Sequence, residues 1–226
     1  MTRTWRRRFV AALFICNAGA AQAATDSARP CEREMARAAQ QHGIPLGILY
    51  AVGLTETGRR GALYPYALGA DGQTVFAKDM NDAIANFEAM RAKGIKLIDL
   101  GCMQINHYYH GDKFASVQAM FDPARNVDYA ARFLKELKQR EGSWTMAVAR
   151  YNAGPNNAKK WLASNGDPRQ TDPIDWIEQI PFGETRNYVQ RVLENAEVYR
   201  ARMAGKDVPL RILADLYAPN APRMAA

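Results

Sequence analysis

The sequence predicts a mainly α-helical protein that carries one small inserted β-hairpin. Apolar residues recur at helical spacing over most of the 226-residue chain, and Pro or Gly residues bound those segments. Residues 64–77 break this pattern, because an Asp71-Gly72 turn there separates two short β-prone pieces. We therefore expect a helical domain into which a hairpin has been inserted.

The first 23 residues have the pattern of a signal peptide. A basic stretch precedes an apolar run, and the small residues Ala21 and Ala23 flank Gln22 immediately before Ala24. The apolar run is too short to span a bilayer as a membrane anchor. We predict cleavage after Ala23, an exported periplasmic protein, and a mature chain without a transmembrane segment.

Removal of this segment changes the charge of the protein. The segment contains four arginines and no acidic residue, so the formal net charge falls from +7 to +3. Most of the apparent basicity therefore belongs to the targeting segment, and nucleic-acid binding is not expected. The remaining positive excess suits an anionic wall polymer or membrane surface.

Two cysteines remain in the mature chain, since Cys16 lies in the signal peptide. An even pair in an exported protein favours a disulfide between Cys31 and Cys102. Two separate buried thiols are the alternative. A bridge closing a loop of this size stabilises the fold by roughly 4 kcal/mol in the loop-entropy model.

The helical segments begin and end at residues that favour helix boundaries. Pro30 lies near the start of the first segment and Gly43 at its end, while Asp122 and Pro123 begin a later one. The expected helices cover residues 28–43, 44–58, 78–94, 122–142, 143–154 and 184–205. We expect one catalytic domain over residues 24–205, followed by a C-terminal tail over residues 206–226.

Glu56 is the first candidate for chemistry. Leu49, Val52 and Gly53 lie seven, four and three residues before it, so its carboxyl group faces the apolar side of its helix. Burial and the negative end of the helix dipole both raise the pKa of such a group. A carboxyl group that stays protonated near neutral pH suits general acid catalysis. Taken alone, such a glutamate is more often solvated or neutralised by the arginines that follow it.

Four motifs occur in a fixed order along the chain. They are TETG at 55–58, GCMQIN at 101–106, ARYNAGP at 149–155 and IPFGETRNYVQRVL at 180–193. Together they resemble the soluble lytic transglycosylase (SLT) family of the lysozyme-like superfamily. The resemblance covers most of the mature chain and implies a lysozyme-like (goose-type) helical fold. It also implies that Glu56 is the single catalytic acid.

The same resemblance implies a substrate cleft built from the other three motifs. Its residues would be Gly101, Met103, Gln104, Asn106, Tyr151, Asn152, Glu184 and Tyr188. From the residues alone, Met103 fits the core as well as the cleft, the amides fit caps or turns, and the tyrosines fit the core. Arg186, in the last motif, is interpreted as mainly structural.

The chain departs from the general family pattern between the first two motifs. The hairpin and the helix at 78–94 lie there, and Cys102 replaces the usual leucine. The short specialised transglycosylases of secretion, pilus and conjugation systems look similar, with an aspartate where this chain has Asp99. The hairpin is either a flap over the cleft or a structural insertion. Arg59 and Arg60 would contact anionic peptide stems or solvent.

The predicted function is lytic cleavage of peptidoglycan, with one glutamate acting as acid and then as base. The alternatives are a hydrolytic muramidase of the same fold, a non-catalytic peptidoglycan-binding module of a secretion apparatus, and a helical adaptor. No cofactor or metal is expected, since His107, His110 and Asp112 make a poor ligand set. The expected partners of this monomer are glycan strands, with a secretion, flagellar or pilus apparatus left open.

Overall fold

The computed structural model describes residues 29–167 and 171–204. The predicted signal peptide and C-terminal tail lie outside the described residues, so both stay predictions. The helices are α1 Pro30–His42, α2 Leu46–Thr57, α3 Met80–Ala92, α4 His107–His110, α5 Val117–Phe121, α6 Pro123–Glu141, α7 Trp144–Asn165, α8 Pro173–Glu178 and α9 Gly183–Ala204. The strands are β1 Ala67–Ala70, β2 Gln73–Phe76, β3 Asp99–Leu100 and β4 Ile105–Asn106. The mainly α-helical fold with a small β element is confirmed.

Helix α2 forms the centre of the domain because it is apolar on almost every side. α9 packs along one of its sides, where Tyr50 stacks on Tyr199 with 4.0 Å between ring centroids. α1 packs against another side, close to Gly53. A Cβ atom on Gly53 would lie 2.3 Å from the Met35 methyl carbon, so glycine allows this close approach.

The hairpin belongs to a four-stranded antiparallel sheet with the strand order β2-β1-β3-β4. Leu68 of β1 pairs with Leu100 of β3, and Leu100 pairs in turn with Ile105 of β4. The β1–β2 hairpin was predicted, whereas β3 and β4 were not, because two-residue strands carry no readable periodicity. This pairing fixes the hairpin to the segment that contains the second motif.

Helices α6 and α7 form the opposite side of the molecule. Asp122 caps α6 by accepting a hydrogen bond from the Arg125 amide, and Gly142 ends the helix in the left-handed conformation, as predicted. The predicted end of the next helix at Gly154 is a kink, with φ 76° and ψ 170°. The chain then continues as helix to Asn165, so this prediction located the break but missed the second segment.

A disulfide joins Cys31 on α1 to Cys102 in the loop between β3 and β4. Both residues are fully buried. The predicted pairing is therefore confirmed, and it anchors the second motif to the first helix. Among the described residues, no helix combines the length and the hydropathy that a bilayer crossing requires.

Candidate active site

A cleft of about 790 Å³ runs between the sheet and helices α6 and α7. Glu56 lies in its wall, together with Asp99, Gln104 and Asn106 from the sheet. The other lining residues are Ile105, Tyr109, His110, Phe133, Leu137, Arg140, Arg150, Tyr151, Asn152, Ala153, Gly154, Asn156, Asn157 and Lys160. The cleft therefore contains most of the predicted site residues.

The Glu56 carboxyl group is held at the end of α2 by a hydrogen bond from α9. The Tyr188 hydroxyl donates to Glu56 Oε1 at 2.6 Å. Burial raises the pKa of Glu56 from 4.5 to about 8, although the Tyr188 hydrogen bond opposes this shift. The nearby charges of Asp99 and Glu184 also raise the pKa, and the value of about 8 results from all of these influences together. The predicted direction is confirmed, and Glu56 is protonated at neutral pH.

Two tyrosine hydroxyl groups lie close to this carboxyl group. Burial raises the pKa of Tyr151 and of Tyr188 well above the ordinary value, and the Glu56 charge adds to both shifts. Both hydroxyls therefore remain protonated donors. Tyr188 donates to Glu56, whereas Tyr151 donates to the Met103 carbonyl oxygen at 2.8 Å.

Gly101 and Met103 do not line the cleft, which corrects the expectation derived from the motif. Met103 is fully buried in the core, where its backbone amide donates to Asn126 Oδ1 at 2.9 Å. Gly101 has φ +81°, and a Cβ atom there would lie 2.5 Å from Asn126 Nδ2. Both residues determine the path of the loop and do not form part of the cleft surface.

Asn126, which the sequence analysis missed, fixes this loop from below. Its fully buried amide donates to the carbonyl oxygens of Leu100, at 2.9 Å, and Met120, at 2.8 Å. Together with the bond from the Met103 amide, these hydrogen bonds join α6 to the second motif, to the end of β3 just before it and to α5. One asparagine inside a helix gives no sequence signal for such a role.

Gln104 lines the cleft and also holds the loop together. Its backbone lies in the left-handed region with φ 47°, which is uncommon for a residue with a side chain. Its side-chain nitrogen donates to the carbonyl oxygens of Gly101, at 3.0 Å, and Ala67, at 3.2 Å. Its side-chain oxygen lies against Gly69. The Gln104 amide therefore stabilises a turn, which was the alternative interpretation, and it also lines the cleft.

Asp99 and Asn106 form a polar pair on the neighbouring strands β3 and β4. Asn106 Nδ2 donates to Asp99 Oδ1 at 2.8 Å, while Asn106 Oδ1 caps α4 at the Tyr108 amide. Burial raises the pKa of Asp99, and the Asn106 hydrogen bond opposes that effect. A second carboxyl group therefore lies in the cleft with Glu56.

The last two motifs meet where α7 and α9 approach each other. The Thr185 hydroxyl donates to Asn152 Oδ1 at 2.8 Å, so Asn152 lines the cleft in a fixed orientation. Glu184 is exposed and does not line the cleft, but its charge raises the Glu56 pKa. Arg186 donates to the carbonyl oxygens of Ile180, at 3.2 Å, and Glu178, at 3.3 Å, as expected of a structural residue.

The segment after Glu56 lies away from the cleft. The Arg59 guanidinium packs over the Phe76 ring at 5.1 Å from its centroid, and Arg60 is exposed in the following turn. Neither arginine lines the cleft, and neither does any residue of the β1–β2 hairpin. The hairpin instead supports the wall from behind, through Ala67.

Aromatic side chains that the sequence analysis did not single out form one wall of the cleft. Phe133 lies 5.8 Å from Tyr151 and 5.2 Å from His110, between ring centroids, and Tyr109 stands exposed at the rim. His110 also lines the cleft, and burial lowers its pKa. Within the described ranges, no three His, Cys, Asp or Glu side chains are grouped as metal ligands.

The comparisons with known proteins agree with this fold. The profile of the transglycosylase SLT domain matches residues 34–173, and that of the soluble lytic transglycosylase helical domain matches residues 179–207. The chain therefore belongs to the SLT transglycosylase family.

Curated relatives match part of the chain. It is 33% identical over 94 residues to the soluble lytic murein transglycosylase of Escherichia coli K12, covering 41% of this chain and 14% of the relative. It is 34% identical over 89 residues to the Salmonella typhimurium protein of that name, covering 39% and 14%. The chain thus spans a small part of the length of these relatives.

A solved structure shares the fold. It is an inactive glutamate-to-glutamine mutant of the lytic transglycosylase Slt from Pseudomonas aeruginosa. The TM-score is 0.56 at 24% identity, over 83% of this chain and 26% of the other. The lysozyme-like fold implied by the motifs is therefore confirmed.

Proposed function

We propose that this protein is a lytic transglycosylase that cleaves the β-1,4 bond between N-acetylmuramic acid and N-acetylglucosamine in peptidoglycan. The observation that carries the proposal is a glutamic acid, Glu56, which lies in the wall of a cleft of about 790 Å³ and whose pKa is raised to about 8 by burial and neighbouring charges. Membership of the SLT family and the curated relatives support the choice of substrate. Amide and aromatic side chains in the cleft suit the polar edges and apolar faces of sugar rings.

In the proposed reaction, one carboxyl group serves twice. Glu56 donates its proton to the glycosidic oxygen, and the bond from that oxygen to the muramic anomeric carbon breaks. The N-acetyl group of the substrate assists this departure. The Glu56 carboxylate then takes the proton of the muramic 6-hydroxyl, whose oxygen bonds to the anomeric carbon. The product is a 1,6-anhydromuramic end, and Glu56 regains its proton without consuming water.

Tyr188 supports the second stage of this cycle. Its hydroxyl remains protonated and donates to Glu56, and such a bond is stronger to a carboxylate than to a neutral carboxyl group. Tyr188 therefore stabilises the charge that appears on Glu56 once its proton has left. Asp99 and Glu184 act in the opposite direction and favour the protonated starting form.

A hydrolytic muramidase is the second candidate, and the position of Asp99 favours it. Many glycosidases use two carboxyl groups, one as acid and one to activate water or attack carbon. Asp99 lines the same cleft as Glu56 and influences its pKa. In that reaction water would be the acceptor, and the new ends would be reducing sugars.

Digestion of purified sacculi separates these candidates. We expect soluble products whose muramic ends are one water lighter than reducing ends and resist borohydride reduction. Reducible ends throughout would support the muramidase instead. The Glu56→Gln variant should lose about 10²–10⁴-fold of the activity, and Glu136→Gln, on the exposed face of α6, should retain it. If wild type and Glu56→Gln bind sacculi equally and neither releases products, the chain is a binding module.

The proposed export of the protein agrees with its substrate. The predicted signal peptide would deliver it to the compartment where peptidoglycan lies, with cleavage after Ala23. Because the chain resembles the short specialised transglycosylases, we propose that it acts together with a secretion, pilus or flagellar apparatus. Peptide sequencing of the mature N-terminus checks the cleavage site.

A further inference from the structure

Two cationic side chains line the cleft without an ion-pair partner among the described residues. They are Arg140, near the end of α6, and Lys160, in the second segment of α7, and both are exposed. Arg150 also lines the cleft, but it pairs with the Glu141 carboxylate. Two positive charges therefore face the cleft and are available to a ligand.

The helical spacing shows that both charges lie on the cleft face of their helices. Phe133, Leu137 and Arg140 follow one another at intervals of four and three residues along α6. Asn157 and Lys160 continue a corresponding stripe on α7, where the kink at Gly154 redirects the chain. Each cation therefore extends a row of side chains that already lines the cleft.

The charges that shift the pKa of the candidate acid do not include these two cations. The pKa of Glu56 is set by burial, by the Tyr188 hydrogen bond and by the charges of Asp99 and Glu184. No arginine or lysine contributes to it. The cleft thus has a carboxyl-bearing part around Glu56 and a separate cationic part.

The chemistry of the proposed substrate identifies a ligand for the cationic part. The sugar rings of the glycan strand present neutral hydroxyl and N-acetyl groups. Peptide-free strands keep one carboxylate on each muramic lactyl group, next to the ring, whereas peptide stems carry further carboxylates at a distance from the glycan. Arginine and lysine bind carboxylates through charge-assisted hydrogen bonds.

We propose that Arg140 and Lys160 bind peptide-stem carboxylates, so that the enzyme prefers peptide-bearing glycan strands over peptide-free ones. This inference rests on the proposed function and names the part of the substrate that the cationic part of the cleft recognises. It also moves this role from Arg59 and Arg60, which lie away from the cleft.

The test compares two substrates and two charge-matched double variants. Arg140→Gln/Lys160→Gln should lower kcat/KM about tenfold on uncrosslinked peptide-bearing strands. On strands freed of peptide by an amidase, the same variant should match wild type. The control is Lys96→Gln/Lys159→Gln, which removes two exposed lysines that do not line the cleft. It should match wild type on both substrates.

Equal losses on both substrates, or no loss on either, would overturn the inference. Binding gives a readout that does not need catalysis. In a Glu56→Gln background, calorimetry with soluble peptide-bearing and peptide-free oligosaccharides should show a salt-sensitive preference for the former. That preference should disappear with Arg140→Gln/Lys160→Gln. If wild type cleaves neither substrate, the proposed function fails, while this binding result still decides the role of the two cations.

Discussion

Glu56 is subject to opposing influences on its affinity for a proton. Burial and the neighbouring Asp99 and Glu184 raise its pKa, and the Tyr188 hydroxyl lowers it. The balance leaves the pKa near 8, so the residue is an acid at neutral pH and becomes a base once it has given up its proton. Asp99 lies on β3, whereas Glu184 and Tyr188 both lie on α9, and each of the three side chains can be replaced by itself.

Replacing Asp99 with asparagine should shift the pH dependence of activity. Asp99→Asn removes a negative charge that raises the Glu56 pKa, so that pKa falls. The alkaline limb of the kcat/KM profile, expected near pH 8 in wild type, should move to lower pH. Tyr188→Phe should move it to higher pH, because it removes a hydrogen bond that favours the carboxylate. Initial rates of sacculus solubilisation across pH measure both shifts, and identical profiles for all three proteins would contradict the assignment.

Glu56 should also make stability depend on pH. Between pH 4.5 and about 8 the folded protein holds a proton that the unfolded chain has released, so the free energy of unfolding decreases as pH rises. Glu56→Gln lacks this titration and should gain stability relative to wild type across that window, by on the order of a few kcal/mol. Urea unfolding at both ends of the window measures the difference. Glu136→Gln, with its exposed carboxylate, should show no comparable trend.

The second motif, residues 101–106, is held in place by helix α6. Asn126 accepts a buried hydrogen bond from the Met103 amide and donates one to the Leu100 carbonyl oxygen just before this segment, and Gly101 leaves room for the asparagine side chain. The disulfide at Cys102 holds the same segment from α1. Gln104 thus reaches the cleft from a loop that is fixed on two sides.

Asn126→Ala should therefore affect stability and activity together. It leaves one buried amide and two buried carbonyl groups without partners, which should cost roughly 3 kcal/mol or more. Chemical denaturation measures this loss, and kcat/KM at low temperature tests whether the folded fraction also loses activity. Asn86→Ala, on the partly buried face of α3 and bonded only within that helix, is a matched control that should cost much less.

The rim of the aromatic wall offers a matched pair of neighbouring tyrosines on α4. Tyr109 lines the cleft with 64% of its surface exposed, while Tyr108, 59% exposed, does not line it. If Tyr109 contacts a sugar face, Tyr109→Ala should raise KM several-fold, since an aromatic contact contributes about 0.5–1.5 kcal/mol. Tyr108→Ala should leave KM unchanged. Equal effects of the two substitutions on KM would show that they act by disturbing helix α4 and not by removing a contact in the cleft.

For the molecule as a whole, the disulfide closes a long loop. Cys31 and Cys102 are separated by 71 residues, and the loop between them contains α2 with Glu56, the hairpin and α3. Replacing both cysteines with serine should lower the free energy of unfolding by roughly 4 kcal/mol. Urea unfolding of the variant, and of wild type with and without reductant, measures this loss. An unchanged midpoint would mean that the bridge does not constrain the unfolded chain.

The helical fold and the inward-facing acid could be predicted from the sequence because both depend on the spacing of residues that are close along the chain. Tyr188, 132 positions from Glu56, could be placed only by resemblance to a family, because the spacing carries no sign of the contact. Asn126 and strands β3 and β4 were missed, since a single amide and two-residue strands give no periodic signal. The resemblance placed Met103 in the cleft, whereas it is buried in the core, and the residue alone could not decide because a methionine fits a core and a cleft equally well.

The hydrogen bond between Tyr188 and Glu56 also makes the carboxyl group a sensor of tertiary structure. It joins α9, near the end of the described chain, to the central helix α2. If α9 separated from α2, water would reach Glu56 and its pKa would return towards 4.5. The acid would then be ionised at neutral pH and unable to start the reaction. Under the proposed function, activity therefore depends on the docking of α9, and the titration of a single side chain reports whether that docking is complete.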